Sequence, residues 1–526
     1  MSETGPIRTE EAKDASNWRA SMLTPLVFLP FLILAIVYVK ISFQTVFVRN
    51  DTSYPEGACV YAFLTAMRTG KLYSPPFDFP FIAQMYGPVF YLVGAGSARV
   101  AHGDPMPTTE LYRLISFLSF LGSAGIAGYL SWKLERTWRW AAVSIVLGLA
   151  CVWSIPMSAS ARPDELSIFL ILAALAVYQA AEGRSRLIFW AGVLASLSWL
   201  TKQNTAPVLF ALAIDTLIAR RFRNTAALIA GSVPIPALIL LVLWLRQEPF
   251  LANFFIVRRS LYDWPTAMSA LVNLMRTNQV AIVPVLLALL GTALNWRNAK
   301  YRAILLAAGL GCISNLAALA QIGGWSNYLI LPWMLTIPMA PAGLVRIGEW
   351  SRLSATVSLA LTLLGGLLLI HQRDVLFPKL PGDLDTSNVG NLKILSGLPY
   401  LEMRSRQPQL LDPFFYHALS IQNLWSFAPI IEQIDREEFD LILVTGSDGP
   451  SDSEFLVKSI RGVSDWGADT LGPMVSHYRV LCEVPSLLAL VPRDRAGPVQ
   501  GEDIARIFSQ PCRVTDRTPQ LAPGMR

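Results

Sequence analysis

The chain has 526 residues, 53% of them hydrophobic and only 15% charged, with 15 Trp; soluble domains carry about a quarter charged residues, so a wholly soluble protein is excluded. The net charge of +6 sits largely in short Lys/Arg clusters between apolar runs, which reports membrane topology and points away from nucleic acid. Four His and five scattered Cys offer no zinc-type spacing, and Cys482 and Cys512 either pair in an oxidising compartment or stay free thiols.

The polar stretch Met1–Arg19 carries no cleavable signal, so the first span reads as an uncleaved anchor. Apolar runs follow at Thr24–Val46, Leu111–Trp132, Trp138–Met157, Leu166–Ala181, Leu187–Leu200, Ala206–Ala219, Ala226–Leu245, Val280–Leu294, Ala303–Ala320, Tyr328–Val345 and Ser354–Ile370. That predicts about eleven spans; several fall short of the ~20 residues a crossing helix needs and are expected to extend into flanking polar residues.

Pro88–Val100 is apolar enough to be a further span, and charge decides against it. With this segment lying along the surface, the clusters Lys133/Arg136/Arg139, Arg184/Arg186, Arg220/Arg221/Arg223, Arg297/Lys300/Arg302 and Arg346/Arg352 fall on the same side as Arg8, Lys13 and Arg19. That side is then cytoplasmic by the positive-inside rule, and Pro88–Val100 is an interfacial helix. The opposite face collects the loop 47–110, Ser158–Glu165, Thr201–Thr205, Arg246–Gln279, Gln321–Asn327 and everything after His371.

Beyond Ile370 the composition becomes that of a soluble domain. Phe427–Arg436 reads as an amphipathic helix, Asp440–Thr445, Tyr478–Glu483 and Ser486–Val491 as strands, and the tail after Pro492 as loose. The predicted architecture is an all-α polytopic membrane body over 1–371, with interfacial helices in the first outer loop, followed by an extracytoplasmic α/β domain over 372–526.

Loops as long as 47–110 are seldom mere connectors. Glu56 precedes a predicted helix whose N-terminus favours the ionised carboxylate, so it can serve as a general base; spacing alone favours the alternative of a helix-start acid satisfying free N–H groups. Asp51 faces the same choice, with an Asx turn as its alternative. In Arg162-Pro163-Asp164-Glu165 the Pro and the acids are helix-initiation chemistry, yet Arg162 and Asp164 are charges at the membrane boundary, where charge is functional by default. Lys202 lies in a turn too short to leave the interface and either meets a phosphate or snorkels to water. Arg258 and Arg259 can grip a phosphate bidentately or contact anionic lipid. Gly323-Gly324-Trp325-Ser326-Asn327-Tyr328 is a tight turn into a span, with Trp325 and Tyr328 alternatively belt residues.

These residues resemble the C-type integral-membrane glycosyltransferases, the group containing the lipid A aminoarabinose transferase and the protein O-mannosyltransferases. Pro55-Glu56-Gly57 through Ala66, Gly70 and Leu72-Tyr73 is similar to their acid, helix, Gly, Tyr pattern, and Tyr86-Gly87-Pro88-Val89-Phe90-Tyr91 to the segment that follows it. Ala161-Arg162-Pro163-Asp164, Thr201-Lys202-Gln203, the Gly323–Tyr328 turn and Leu411-Asp412-Pro413-Phe414, with Phe439–Ile442 downstream, resemble their later motifs in order. Many members carry Asp-Glu where this chain has Pro55-Glu56, so the base is Glu56 or Asp51.

The resemblance implies a hexosyl- or pentosyltransferase of the bacterial inner membrane, moving sugar from a polyprenyl-phosphate carrier to a glycan, lipid or protein acceptor hydroxyl. It assigns Glu56, Asp51 and Asp164 to catalysis and Tyr86, Arg162, Lys202, Arg258, Arg259, Asn327 and Tyr328 to substrate. No cofactor is demanded; some relatives use a divalent metal, for which Asp51, Glu56 and Asp164 are the available ligands. The rival readings are a transporter or lipid-linked-sugar flippase, which predicts mid-span charges and repeated halves, a surface-polysaccharide ligase or polymerase, and a scaffold displaying the C-terminal domain.

Overall fold

The computed structural model describes residues 28–256, 262–321, 326–343, 363–368, 382–445, 468–484, 487–494 and 498–514. Its larger part is helical and membrane-embedded in character. Helix α1 (Leu29–Thr45) leads into a loop holding α2 (Glu56–Thr69) and α3 (Pro88–Val100), then α4 (Pro105–Glu135), α5 (Trp138–Leu149), α6 (Asp164–Ala181) and α7 (Ser185–Trp199). The helices α8 (Ala206–Ile218), α9 (Phe222–Ser232), α10 (Pro234–Leu245), α11 (Trp264–Thr277), α12 (Ile282–Asn295), α13 (Arg302–Leu319) and α14 (Ile330–Thr336) complete this part. Among the described residues, four stretches are long and apolar enough to cross a bilayer: Pro105–Glu135, Asp164–Ala181, Arg302–Leu319, and Phe222–Leu245, which α9 and α10 form together. The fold is that of a polytopic membrane protein.

Three expected spans depart from their runs, the first being Ala226–Leu245, which is interrupted at Val233 between α9 and α10. Tyr328–Val345 is broken into short turns, with a 3-10 segment at Ile337–Met339 where Pro338 cannot continue the helical hydrogen bonds. Trp138–Met157 is long enough to cross as a run, but its helix ends at Leu149 after 12 residues and passes into a 3-10 turn at Val152–Ser154. The span expected at Ser354–Ile370 falls mostly outside the described residues, as does the boundary expected at 371/372.

At 13 residues, α3 is about 20 Å long, well short of the ~30 Å hydrocarbon core. It packs instead on α2 and α4. The Phe63 ring lies 5.0 Å from Phe90 and stacks at 4.9 Å on Tyr112 of α4. Helix α2 ends at Gly70, whose left-handed φ of 71° lets its N–H reach Ala66 O at 2.9 Å.

The C-terminal part is a mixed sheet ordered β1-β2-β4-β3-β5, with β1 Ile394–Ser396, β2 Leu441–Thr445, β3 Tyr478–Val484, β4 Leu487–Pro492 and β5 Arg513–Val514. Strands β1 and β2 are parallel and every other pair is antiparallel. The expected helix appears as Ala428–Asp435. Within the tail after Pro492, which composition predicts to be loose, the described residues 498–514 carry a helix and a strand. A capping box at Gln500/Asp503 starts the helix Gly501–Phe508, Ile504 and Ile507 on one face of that helix are buried, and a Cys482–Cys512 disulfide ties β5's approach to β3.

This domain is fused to the 47–110 loop. One hydrophobic cluster runs from Cys59, Phe63, Phe90 and Tyr91 to Ile394, Tyr400, Leu441 and Cys482. Backbone bonds join Leu384 N to Arg49 O at 3.0 Å and Phe81 N to Gln409 O at 2.8 Å. Gly57 lies against the domain's backbone. A Cβ there would stand 2.5 Å from Pro399 C and Tyr400 N, so only glycine admits this docking.

Candidate active site

The site forms where the 47–110 loop meets the starts of α6 and the ends of α7 on the face carrying the C-terminal domain. Loop and bundle are joined by backbone: Gly87 N–H donates to Thr201 O at 3.2 Å and Val89 N–H to Leu200 O at 3.1 Å. A Cβ at Gly87 would lie 1.9 Å from Leu200 O, which fixes glycine at this contact. Ser198 Oγ then locks α7 to its neighbours, donating to Ser167 O at 2.7 Å and sharing a 2.8 Å bond with Thr205 Oγ1.

This packing gathers Tyr86, Arg162, Asp164, Lys202, Asn327 and Tyr328. Asp164 Oδ1 accepts from Lys202 Nζ at 2.5 Å and from Asn327 Nδ2 at 2.7 Å. Arg162 Nε stands 3.4 Å from Asp164 Oδ2, and Lys202 Nζ sits 4.7 Å from the centre of the Tyr328 ring. The side chains of Arg162, Asp164 and Lys202 are 13%, 2% and 3% exposed. Two cations therefore face one carboxylate out of water, an arrangement that favours a further anion. Asp164 Oδ2 and Arg162 Nε, facing each other at 3.4 Å, make no hydrogen bond among the described residues, so this contact is held by charge alone. Tyr86 lies beside them, its phenol pushed well up by burial, with Arg162 working against that shift.

Glu56 has a different environment. Its Oε1 accepts from Arg113 Nε at 2.9 Å and from Ala161 N–H, and its Oε2 from Arg113 Nη2 at 2.6 Å, Thr52 N–H at 2.8 Å and Thr52 Oγ1 at 2.9 Å. Burial would raise its pKa, but the Arg113 guanidinium and these donors hold it below the usual carboxylate range. Asp51 accepts only one bond on each oxygen among those described, from Gly57 N–H at 2.7 Å and Tyr400 N–H at 2.8 Å. An edge of the residue stays exposed, yet its carboxylate is enclosed between loop and domain. Burial first, and then Glu56, raise its pKa to about 7.

The three acids do not fit a divalent metal. Glu56 is committed to Arg113 and Asp164 to Lys202 and Arg162, and among the described residues no three His, Cys, Asp or Glu side chains come together as ligands.

Arg258, Arg259 and the Gly323–Trp325 part of the tight turn lie outside the described residues. Residues the sequence reading passed over are Arg113 and Tyr54. Arg113 had a signal: it is a lone charge at the head of an apolar run, and buried charges of this kind have partners. Tyr54 had none, because its partners Asp412 and Phe414 are more than three hundred positions away.

The chain matches no protein-family model and no curated protein. Among solved structures it is similar to ArnT from Cupriavidus metallidurans in the apo state, at 13% identity and a TM-score of 0.50, over 87% of this chain and 96% of that one. The same protein bound to undecaprenyl phosphate gives 14%, 0.49, 89% and 98%. The Archaeoglobus fulgidus oligosaccharyltransferase AglB with an inhibitory peptide and a dolichol-phosphate gives 11%, 0.45, 89% and 75%. The first likeness establishes a shared fold across nearly the whole of both chains: a polytopic membrane body with a C-terminal soluble domain. That is the architecture the sequence predicts for this chain.

Proposed function

We propose that this protein is a membrane glycosyltransferase that moves a hexosyl or pentosyl unit from a polyprenyl-phosphate carrier to an acceptor hydroxyl, on the extracytoplasmic side of a bacterial inner membrane. The observation that carries this reading is the buried Arg162–Asp164–Lys202 cluster at the head of a membrane helix, where two cations meet one anion. A phosphate at headgroup depth is the ligand that such a place suits. The Cys482–Cys512 disulfide supports an oxidising compartment for the domain-bearing face.

In this mechanism the acceptor oxygen attacks the sugar's anomeric carbon, its proton passes to the base, and the anomeric C–O bond breaks with its electron pair leaving on the lipid phosphate. Lys202 and Arg162 stabilise that developing charge. Asp164 and Asn327 hold Lys202 in place, Tyr86 and Tyr328 border the sugar, and Arg258 and Arg259 are further candidates for the phosphate. Of the two candidate bases, Asp51 is the less committed: each of its oxygens accepts one backbone N–H among the described residues and its pKa of about 7 suits proton transfer at neutral pH, whereas Glu56 accepts five donors, two of them from the Arg113 guanidinium. Glu56 is then the strut that shapes the loop.

The transporter reading draws no support from the ionisable residue most open to it. Asp215, near one end of α8, is paired with Arg302 Nε at 2.5 Å and Tyr178 OH at 2.6 Å.

The test is sugar transfer in reconstituted membranes with a panel of radiolabelled polyprenyl-phosphate sugars, comparing wild type with Asp51→Asn and Lys202→Gln at matched expression. One donor should be consumed; Asp51→Asn should abolish turnover while donor still binds, and Lys202→Gln should lower the rate by roughly a hundredfold or more. Full activity in both variants, or no donor consumed by wild type with extracted acceptors, overturns the proposal.

A further inference from the structure

Tyr54 joins two parts of the molecule that the proposed mechanism treats separately. Its backbone carbonyl accepts from Nη1 of Arg162. Its phenol donates to Asp412 Oδ1 at 2.5 Å and accepts from Phe414 N–H at 3.2 Å, and its ring meets that of Phe414 edge-on at 6.2 Å. Asp412, 1% exposed, also caps the helix Pro413–Ile421, its Oδ1 accepting from Phe415 N–H at 3.1 Å. The cap fixes the carboxylate in the C-terminal domain, the carboxylate fixes the Tyr54 ring, and the Tyr54 carbonyl holds the guanidinium. Leu411-Asp412-Pro413-Phe414 is also the motif to which the mechanism gives no task.

We propose that Asp412 is a positioning residue: through its hydrogen bond to Tyr54, the C-terminal domain fixes where Arg162 stands against Asp164 and Lys202. This rests on reading that cluster as a phosphate site. The Asp164 contact cannot fix Arg162 alone, because Nε is 3.4 Å away and makes no hydrogen bond. The anchor that orients the guanidinium is the Tyr54 carbonyl, and the ring attached to that residue is held from the other domain.

A double-mutant cycle tests this, using the full chain in detergent and its affinity for undecaprenyl phosphate. Tyr54→Phe, which deletes only the phenol oxygen, should weaken binding about tenfold, and Asp412→Ala should do the same. Asp412→Asn, which keeps an acceptor oxygen and a good helix cap, should stay within about twofold of wild type. Arg162→Lys should weaken binding, and adding Tyr54→Phe to it should cost little more, because the proposal routes the phenol's effect on binding through Arg162. Unchanged affinity in Tyr54→Phe, or losses that simply add, overturns the positioning role while leaving the phosphate site standing. A wild type that binds no undecaprenyl phosphate overturns the phosphate reading and this proposal with it. Should Asp412→Ala fail to fold, Tyr54→Phe carries the cycle unaided.

Discussion

Arg113 of α4 and Glu56 of α2 meet in a two-pronged ion pair, Nε to Oε1 at 2.9 Å and Nη2 to Oε2 at 2.6 Å, with side chains 0% and 1% exposed. The guanidinium also donates to the carbonyls of Thr45, Val48 and Asn50, so one buried arginine stitches the end of α1 and the turn after it to α2.

Breaking this pair from one side should therefore be costly. Glu56→Ala leaves an unpaired guanidinium in a dry site, at a cost of about 3–5 kcal/mol. Thermal unfolding in detergent should fall sharply for Glu56→Ala and by much less for Glu56→Gln, which keeps an acceptor oxygen for Arg113 and the neighbouring N–H donors. A Glu56→Ala variant as stable as wild type would show that the pair does not hold the loop.

Asp51 sets a pH dependence of opposite sign to that of Glu56. Its folded-state pKa is raised to about 7, against about 4 unfolded. The folded state thus holds more protons across that window, and Asp51's contribution to stability is full below pH 4 and is lost as pH rises through 7. Glu56, whose pKa is lowered, contributes stability above its unfolded pKa that is lost in acid. Transfer needs the ionised Asp51, so the rate should rise with pH through about 7. Unfolding midpoints and transfer rates measured from pH 5 to about pH 9 check both; Asp51→Asn should flatten the stability change in this range, and a wild-type rate that is level across it removes Asp51 from the role of base.

Gly87 tests the seam between loop and bundle. A Cβ there would meet Leu200 O at 1.9 Å, with backbone on both sides and no side chain to yield. Gly87→Ala should cost about 1–3 kcal/mol and, by displacing Tyr86 from the Thr201-Lys202 turn, lower donor affinity as well. A fully stable, fully active Gly87→Ala would mean the seam is loose in the working protein.

What could be read from residues in order was whatever depends on local periodicity. The Asp440–Thr445, Tyr478–Glu483 and Ser486–Val491 runs alternate or bury as strands do, and they appear as β2, β3 and β4. The apolar runs announced a polytopic body, and charge asymmetry separated Pro88–Val100 from the spans, in keeping with a helix too short to cross. Motif order placed Tyr86, Arg162, Asp164, Lys202, Asn327 and Tyr328 on one face, where the structure does bring them together. Tertiary structure alone decided which carboxylate is spoken for. Glu56 and Asp51 are five positions apart and locally equivalent, and they differ because Arg113, 57 residues on, reaches one and Tyr400, 349 residues on, reaches the other. The Tyr54–Asp412 bond, spanning 358 positions, has the same origin. Periodicity reports which face of an element is buried, while the partner that neutralises a charge there is chosen by packing between elements far apart in the chain.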